Sequence, residues 1–594
     1  MRITYLNGTR LKRAFIAGAR KVIQRREYLN RINVFPVADS DTGTNMAATL
    51  EVIVNRLLGV REPAFSAVAR IAADSALDGA RGNSGTILAQ FFYGIAEAVG
   101  DDLRVTTKRF AQVARDAVDH AYSAIASPKE GTILTVLREW ADNLHRGASD
   151  DFQVMLESAM PSTIASLNGT QESLAELRLA GVVDAGAQGF VDMLEGIVGF
   201  IGSGRIRELE GFHPPETPQA HLTPVNALGD ITFRYCTECI LEGSGLDHAS
   251  LSAELSKHGD SLILAGSSTK TKIHLHTDQP SEVFGYLTER GRVVGQKIDD
   301  MRRQYRAAHT SHRDCALVVD STCDLPPELL EELDIHVVPT HLVFDDSVFI
   351  DKLGITPGRF FEMMRERPEI VASTSQPAPG EFLRVFEFLS EHYRHILYLG
   401  LSEALSGTIQ SGRTAAAHLK ADIRIVDSRQ VSVGLGLIAR RVGEAIRSGA
   451  GIEEAEALCL KLIPRTHLVL TVPSLDGLVR SGRIGKESGR FVNLLNLKPI
   501  ISLGPNGKLT PIGAAFGEAA SWSRLLRHTE RFVDARGGPE FAIAHAGAAD
   551  AAGWLQRQIE ERFEPARRVY VIEGAPVLAA HAGLGVVGVA AMVS

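Results

Sequence analysis

Two carboxylates two residues apart, Asp39 and Asp41, mark the stretch with the most distinctive chemistry in this 594-residue chain, Asn33-Val-Phe-Pro-Val-Ala-Asp-Ser-Asp-Thr-Gly-Thr-Asn-Met46. Acidic side chains this close repel each other unless a cation sits between them. They are hard oxygen ligands of the type Mg²⁺ takes, and Mg²⁺ completes its shell with water and substrate phosphates. Gly43 lets the backbone turn tightly beside a ligand. Thr44 and Asn45 stand where a helical pattern begins, and N–H groups at a helix start can hold phosphate oxygens. The chemistry is that of a Mg–nucleotide site. The spacing alone also suits an Asx-rich turn that caps a helix.

Two more glycine-rich turns enter helical patterns, Gly79-Ala-Arg-Gly-Asn-Ser-Gly85 and Val182-Val-Asp-Ala-Gly-Ala-Gln-Gly189. Asn83 and Ser84 precede a helix start, where Ser84 can cap the helix or bond a phosphate. Asp184 suits either a site role or an N-cap. Further on, His274 and His276 alternate with Leu275 and share one face of a strand, with Cys236 and Cys239 in or near an earlier strand. Two His with one or two Cys can make a tetrahedral Zn²⁺ site, or can simply be satisfied surface or core histidines. Cys239 would face away from Cys236. Hydroxyl clusters at Ser373-Thr-Ser375 and Leu405-Ser-Gly-Thr408 each read as a strand's carboxyl end leading into a helix. In open α/β sheets ligands bind in that crevice, and hydroxyls plus helix-start N–H groups suit a carboxylate. Plain N-capping is the other reading of each cluster.

The string N-V-F-P-V-x-D-x-D-T-G-T-N-M resembles the nucleotide site of the dihydroxyacetone-kinase L-subunit domain, in the version found in bacterial fatty acid kinases. The two glycine-rich turns match as well, over roughly residues 1–200. Ser40 stands where the family usually has Gly, and Ala38 where it has Pro. The resemblance implies Mg²⁺ at Asp39 and Asp41. Related dihydroxyacetone enzymes have a third Asp just before the pair, where this chain offers only Asn33. Nucleotide contacts are implied for Thr44, Asn45, Gly82, Asn83, Ser84 and Asp184. Pro128-Lys-Glu-Gly-Thr-Ile-Leu-Thr135 also matches and reads as a pocket-edge segment. The strings Y-C-T-E and K-I-H-L-H-T resemble the middle domain of the ATP-binding component of fatty acid kinase, which implies a zinc-type site on Cys236, His274 and His276. Asp320-Ser-Thr, Thr374-Ser-Gln-Pro, Leu405-Ser-Gly-Thr, Asp427-Ser, Ser481-Gly-Arg-Ile484 and Ala580-His-Ala-Gly-Leu-Gly585 together resemble the DegV family, although Leu584 replaces the usual Pro. That resemblance implies an apolar tunnel for an acyl chain, with its carboxylate at Thr374, Ser375, Ser406, Gly407 and His581.

These residues need elements to hold them. Apolar Leu11, Phe15, Ile16, Ala19 and Ile23 predict a helix over 5–30, and helical patterns follow at 46–58, 68–77, 86–99, 105–125, 133–145, 152–167, 172–180 and 189–200. No convincing strand occurs in the first 200 residues. The direct reading is an all-α domain, and the resemblance implies an antiparallel helical barrel. Gly- and Pro-broken residues 203–229 read as a linker. Strand-like 231–238, 261–265 and 272–276 predict a small α/β middle domain over 230–308. Residues 309–314 are a second linker, and 315–594 an α/β DegV-like domain. In that domain, strand 315–320, helix 326–333 and strand 335–344 predict a largely parallel sheet.

Composition excludes several classes. Hydrophobic residues make up 45% and charged residues 23% of the chain, ordinary for a soluble multidomain protein. A net charge of -8 with no dense basic run argues against nucleic acid. Five thinly spread cysteines give no disulfide framework and indicate a reducing compartment. Basic Arg2, Arg10, Lys12 and Arg13 lack a following apolar core, so no secretory signal is expected. The uncharged tail 574–594 reads as a buried strand and a Gly-rich loop rather than a membrane span.

The expectation is therefore a fusion in which a kinase domain transfers the ATP γ-phosphoryl group to a fatty acid carboxylate. Its cofactors are ATP, Mg²⁺ and Zn²⁺. A cytoplasmic homodimer is expected, with transient membrane contact and an acyltransferase that takes the acyl phosphate toward phospholipid synthesis. The rival readings are a dihydroxyacetone-type polyol kinase and a non-enzymatic lipid-binding regulator.

Overall fold

Helical spacing of apolar residues builds the first part of the chain. The computed structural model describes residues 2–38, 40–147, 149–203, 231–309, 314–345, 347–485, 497–534, 539–563 and 569–593. Two compact units emerge, Met1–Ala308 and His309–Ser594. Asp39 and nearly all of both expected linkers lie outside the described residues.

Unit 1 opens with β1 (Tyr5–Leu6), α1 (Gly8–Gln24) and α2 (Arg26–Arg31). The single helix expected over 5–30 is thus three elements. Tyr5–Leu6 pairs antiparallel with β2 (Val105–Thr106), and these two short strands correct the reading of a strand-free first 200 residues. A two-residue pair has no periodicity to read. The Asn7 side chain accepts from the Arg10 N–H at 3.1 Å and starts α1. Then come α3 (Thr42–Leu58), α4 (Phe65–Gly79), α5 (Gly82–Val99), α6 (Thr107–Ser123), α7 (Ile133–Arg146), α8 (Phe152–Ser173), α9 (Ala175–Ala180) and α10 (Ala185–Ser203). Three of these begin four residues earlier than expected: α3 at Thr42, α5 at Gly82 and α10 at Ala185. Gly43, Gly82, Gly85 and Gly186, read as loop residues, lie inside first helical turns, and Gly79 closes α4.

Each long helix packs on the next, and α1 packs on α10. That crossing is close: a Cβ on Gly196 would lie 2.7 Å from the Ala17 carbonyl oxygen. Phe91, Trp140 and Phe190 meet edge-on at the centre, with ring centroids 5.5–6.3 Å apart.

The second part of unit 1 is an antiparallel sheet. Its strands are β3 (Tyr235–Glu242), β4 (Gly259–Gly266), β5 (Lys270–Thr277) and β6 (Arg292–Asp300), in the order β4-β5-β3-β6. Leu241, Leu264, Ile273 and Leu275 bury one face beneath α11 (His248–Leu255) and α12 (Pro280–Thr288). The sheet packs directly on the helices. Gly266 N–H donates to Gln90 Oε1 at 2.8 Å, and Ile263 and Ala265 join the helical core.

The described residues of unit 2 form three sheets. The parallel one, from β7 (Cys315–Asp320), β8 (Ile335–Val338), β12 (His395–Gly400) and β13 (Asp422–Asp427), runs β13-β12-β7-β8. A small antiparallel sheet contains β9 (His341–Phe344), β10 (Ser347–Ile350) and β11 (Ser373–Ser375). The expected strand 335–344 is therefore two strands in two sheets. Between them Thr340 N–H donates to Ser321 Oγ at 3.0 Å, fixing the change of direction.

The third sheet comprises β14 (Thr466–Thr471), β15 (Leu497–Leu503), β16 (Leu509–Phe516), β17 (Glu540–His545), β18 (Val569–Glu573) and β19 (Val587–Met592). Its order is β16-β15-β14-β19-β17-β18, and only β17 and β18 pair in parallel. The largely parallel arrangement expected for the whole domain thus holds for the first sheet alone. The apolar tail forms the helix Pro576–Ala582 and then β19, buried between β14 and β17. No described helix is long and apolar enough to cross a membrane.

Candidate functional site

Three glycine-containing segments converge in unit 1. Asp41 immediately precedes α3, and its side chain makes no capping hydrogen bond to that helix. Asn33 is buried in the turn after α2. Thr44 is spent on anchoring: its N–H donates to Asn30 Oδ1 at 3.0 Å, and its hydroxyl accepts from Asn30 Nδ2 at 2.9 Å. Asn45 lies against Gly82, where a Cβ would stand 2.6 Å from Asn45 Nδ2, and Gly82 has φ +59°. Both facts demand glycine there. Ser84 faces the third segment, since a Cβ on Gly186 would lie 2.5 Å from Ser84 Oγ and 3.4 Å from Asp184 Oδ1. Asn83 and Ser84 sit within the first turn of α5 rather than before it.

Asp184 is an N-cap. Its Oδ1 accepts the Ala187 N–H at 2.8 Å and the Ile133 N–H at 3.1 Å, which ties α10 to α7. Burial pushes its carboxyl up to about 6 against the lowering effect of those two donors.

The sheet adds a polar wall. Strand alternation puts Cys236 and Glu238 on one face of β3, opposite His276 and His274 of β5 and opposite Asp299 and Lys297 of β6. Glu238 Oε1 accepts the Gly82 N–H at 2.7 Å, so this wall touches the glycine turn at the start of α5. Lys272 Nζ lies 2.9 Å from Glu238 Oε2, and Lys297 Nζ lies 2.5 Å from Asp299 and 3.7 Å from Glu238. Burial alone would raise the Glu238 carboxyl, but Lys272 and Lys297 hold it well below the usual range. Burial would lower Lys297, and Asp299, Glu238, Cys236 and Asp41 outweigh it, so this lysine is charged and within electrostatic reach of Asp41.

The atoms with which Cys236, His274 and His276 could bind a metal lie within 4.8 Å of one another. Cys236 Sγ is 3.8 Å from His274 Nδ1, and His276 Nδ1 is 3.5 Å from Asp260. His274 is fully buried, and its Nε2 has no hydrogen-bond partner. Burial holds its imidazole down at about 4, hence neutral, the form that binds a metal. A buried orphan nitrogen beside a thiol and a second imidazole fits a soft divalent cation such as Zn²⁺. Cys239 is on the opposite face, in the apolar core. The charged partners Glu238, Lys272, Lys297 and Asp299 are absent from the sequence reading as site residues, although period-two spacing from Cys236 and His274 is the signal that finds Glu238 and Lys272.

In unit 2, Thr374 Oγ1 and His581 Nε2 are 2.9 Å apart, although 207 residues separate them in sequence. Burial, and then Arg483, hold the His581 imidazole down at about 4. Thr374 and Ser375 form the carboxyl end of β11, which leads into the helix Pro379–His392 as expected, but the strand belongs to the small antiparallel sheet and not to the open parallel one. That strand adds to β9 through the backbone, a role a three-residue Ser/Thr run does not announce. Ser406 follows β12 as expected, and its Oγ accepts from the Thr408 N–H at 3.3 Å at the start of the helix Thr408–Ala416. Gly407 brings the two hydroxyl clusters together: a Cβ there would lie 2.4 Å from Gln376 Oε1. Gln376 and Arg483 are the neighbours that the sequence reading leaves out of the site.

Three family models match the chain in series. Residues 36–199 match the DAK2 domain, 232–308 the FakA-like middle domain of fatty acid kinase, and 314–594 the uncharacterised protein, DegV family. A DegV domain-containing protein of Deinococcus radiodurans is 33% identical over 276 residues, which cover 46% of this chain and 97% of that protein. The chain belongs to the DegV family. It carries the DAK2 and middle-domain matches ahead of its DegV region, the fusion order the motifs imply. Protein YloV of Bacillus subtilis is 30% identical over 316 residues, and an uncharacterised Staphylococcus haemolyticus protein is 32% identical over 317. Each match covers 51% of this chain, and the chain spans only 57% of the length of those relatives. Among solved structures, a DegV family protein from Thermus thermophilus described as fatty acid binding is 31% identical, with a TM-score of 0.45, over 47% of this chain and 100% of that one.

Proposed function

We propose that the chain is an ATP-dependent kinase whose acceptor is a fatty acid carboxylate held by its own DegV-like region. The observation that carries this reading is the succession, in one polypeptide, of a DAK2 match, a fatty-acid-kinase-type middle domain and a DegV match. The domain bounds proposed are 1–202, 230–308 and 315–594, and we read the ring of packed helices as the barrel that the resemblance implies.

In the reaction, a carboxylate oxygen attacks the γ-phosphorus, the bond from that phosphorus to the β–γ bridging oxygen breaks, and acyl phosphate and ADP leave. A carboxylate is already a nucleophile at neutral pH, so no strong base is needed. Catalysis is positioning and charge neutralisation. Asp39, Asp41 and Asn33 are the proposed Mg²⁺ ligands, and the ion would neutralise phosphate charge. Asn83, Ser84, Gly82, Thr44 and Asn45 shape the nucleotide pocket, and Asp184 supports it as a cap. Cys236, His274 and His276 would hold a Zn²⁺, which would cross-link β3 and β5 of the polar wall. Thr374, Ser375, Ser406, Gly407 and His581 receive the carboxylate. Carrying donor and acceptor sites in one chain raises the effective concentration of bound acyl group at the kinase site. The product, a reactive mixed anhydride, requires an acyl-transferring enzyme to consume it. We further propose a cytoplasmic homodimer that meets membranes only transiently.

ATP consumption that depends on added oleate and not on dihydroxyacetone tests the reading. Consumption stimulated by dihydroxyacetone alone would replace it with a polyol kinase.

A further inference from the structure

Glu238 does something that neither a metal centre nor a nucleotide site explains separately. It belongs to the sheet, yet its Oε1 accepts the Gly82 N–H at 2.7 Å, 156 residues away in sequence. Gly82 is the first residue of α5 and has φ +59°, so its peptide orientation is set by what holds it. The next two residues are Asn83 and Ser84. The carboxyl is fully buried, and its charge is met by Lys272 Nζ at 2.9 Å and Lys297 Nζ at 3.7 Å. The same Oε1 lies 3.5 Å from His274 Nδ1.

An uncompensated carboxylate at a phosphate-binding helix start would repel the nucleotide. Here two lysines neutralise it, so it acts as a fixed acceptor. The bulge after Glu238 in β3, where the register with β6 shifts between Glu238 and Ile240, re-aims the strand at this point.

We infer that Glu238 is a positioning residue for the nucleotide site: by accepting the Gly82 N–H it sets the orientation of the α5 start and so aims Asn83 and Ser84 at the phosphates. This rests on the nucleotide reading above. The opposite role, a carboxylate that competes with phosphate for the same N–H, predicts the opposite sign in the test.

The test compares two double variants of the full chain that differ only in the acceptor, because Glu238 alone cannot be replaced without stranding Lys272. E238Q/K272M keeps an oxygen acceptor, and E238L/K272M does not. MgADP is titrated calorimetrically into each, with zinc measured on the same samples. The expected result is near-normal MgADP affinity for E238Q/K272M and a loss of at least about tenfold for E238L/K272M, with equal zinc contents. Equal affinities, tighter binding by E238L/K272M, or a loss that tracks zinc overturns the inference. Should the variants fail to fold, hydrogen exchange on the unmutated chain decides. MgADP should protect the peptides containing Gly82 and Glu238 together, and protection confined to the first overturns the inference. A wild-type chain that binds no MgADP fails the nucleotide reading itself. MgADP binding without dependence on the acceptor fails only the role of Glu238.

Discussion

Thr374 and His581 share a 2.9 Å hydrogen bond between a strand of the small antiparallel sheet and the helix Pro576–Ala582. The imidazole is held neutral by burial and by Arg483, so it can exchange its hydroxyl partner for a ligand oxygen without moving a charge. Each donor to a carboxylate contributes about 1.5–3 kcal/mol. T374V and H581A are therefore each expected to weaken oleate binding about tenfold to hundredfold and to leave MgADP binding unchanged. S406A removes a helix-start acceptor as well, so it should also lower the melting temperature. Paired oleate and MgADP titrations check this. Unaltered oleate affinity in all three would make these side chains structural.

The His581 shift also has a consequence for stability. Its folded-state value is about 4 against an ordinary 6.5. Above that ordinary value neither the folded nor the unfolded chain protonates it. As pH falls below 6.5 the unfolded chain binds a proton that the folded one does not, so stability is lost progressively down to about 4. Denaturant unfolding of H581Q should show a weaker acid dependence between pH 6.5 and 4.5 than the unmutated chain. Identical slopes would contradict a neutral, half-buried imidazole.

The glycine turn at the start of α5 predicts a contrast. G82A places a Cβ 2.6 Å from Asn45 Nδ2 at φ +59°. It should cost about 1–2 kcal/mol from backbone conformation alone and should weaken MgADP binding. At Gly59 a Cβ meets nothing within 4 Å, and the backbone is right-handed helical. G59A should therefore be tolerated. Thermal unfolding of the two variants side by side checks the pair.

Strand alternation alone puts His274 and His276 on one face, and the structure brings Cys236 to them because β3 pairs with β5 in the register Cys236↔His276. That register is a long-range pairing no local pattern specifies. The same limit hides Glu238 on Gly82 and Thr374 on His581, each a contact between segments far apart in sequence. Helix interiors such as α7 are legible from their apolar spacing, whereas the starts of α3, α5 and α10 are not. Their glycines read as breakers, and only tertiary contacts of Gly43 with Arg26, Gly82 with Asn45, Gly85 with Thr49 and Gly186 with Ser84 show why a side chain has no room there. The division of 335–344 into two strands likewise depends on the Ser321–Thr340 bond, which joins two separate segments.

The cysteine–histidine cluster should hold about one zinc per chain. H274A should empty it, because the buried orphan nitrogen is then lost. Atomic emission on protein purified without chelator measures the content. A zinc-free wild-type chain would leave these residues as a buried polar cluster.

D41N removes one negative charge of the proposed Mg²⁺ ligand pair and keeps the size of the side chain. It should lower phosphoryl transfer by at least about a hundredfold, the scale of losing one electrostatic stabiliser of a transition state. Trapping the product tests this and the central claim together. The unmutated chain is incubated with ATP, Mg²⁺, oleate and hydroxylamine, and oleoyl hydroxamate is measured by mass spectrometry. The expected result is hydroxamate that forms in step with ADP, requires both ATP and oleate, and disappears in D41N. ADP formed without hydroxamate, or hydroxamate formed equally well by D41N, would contradict it.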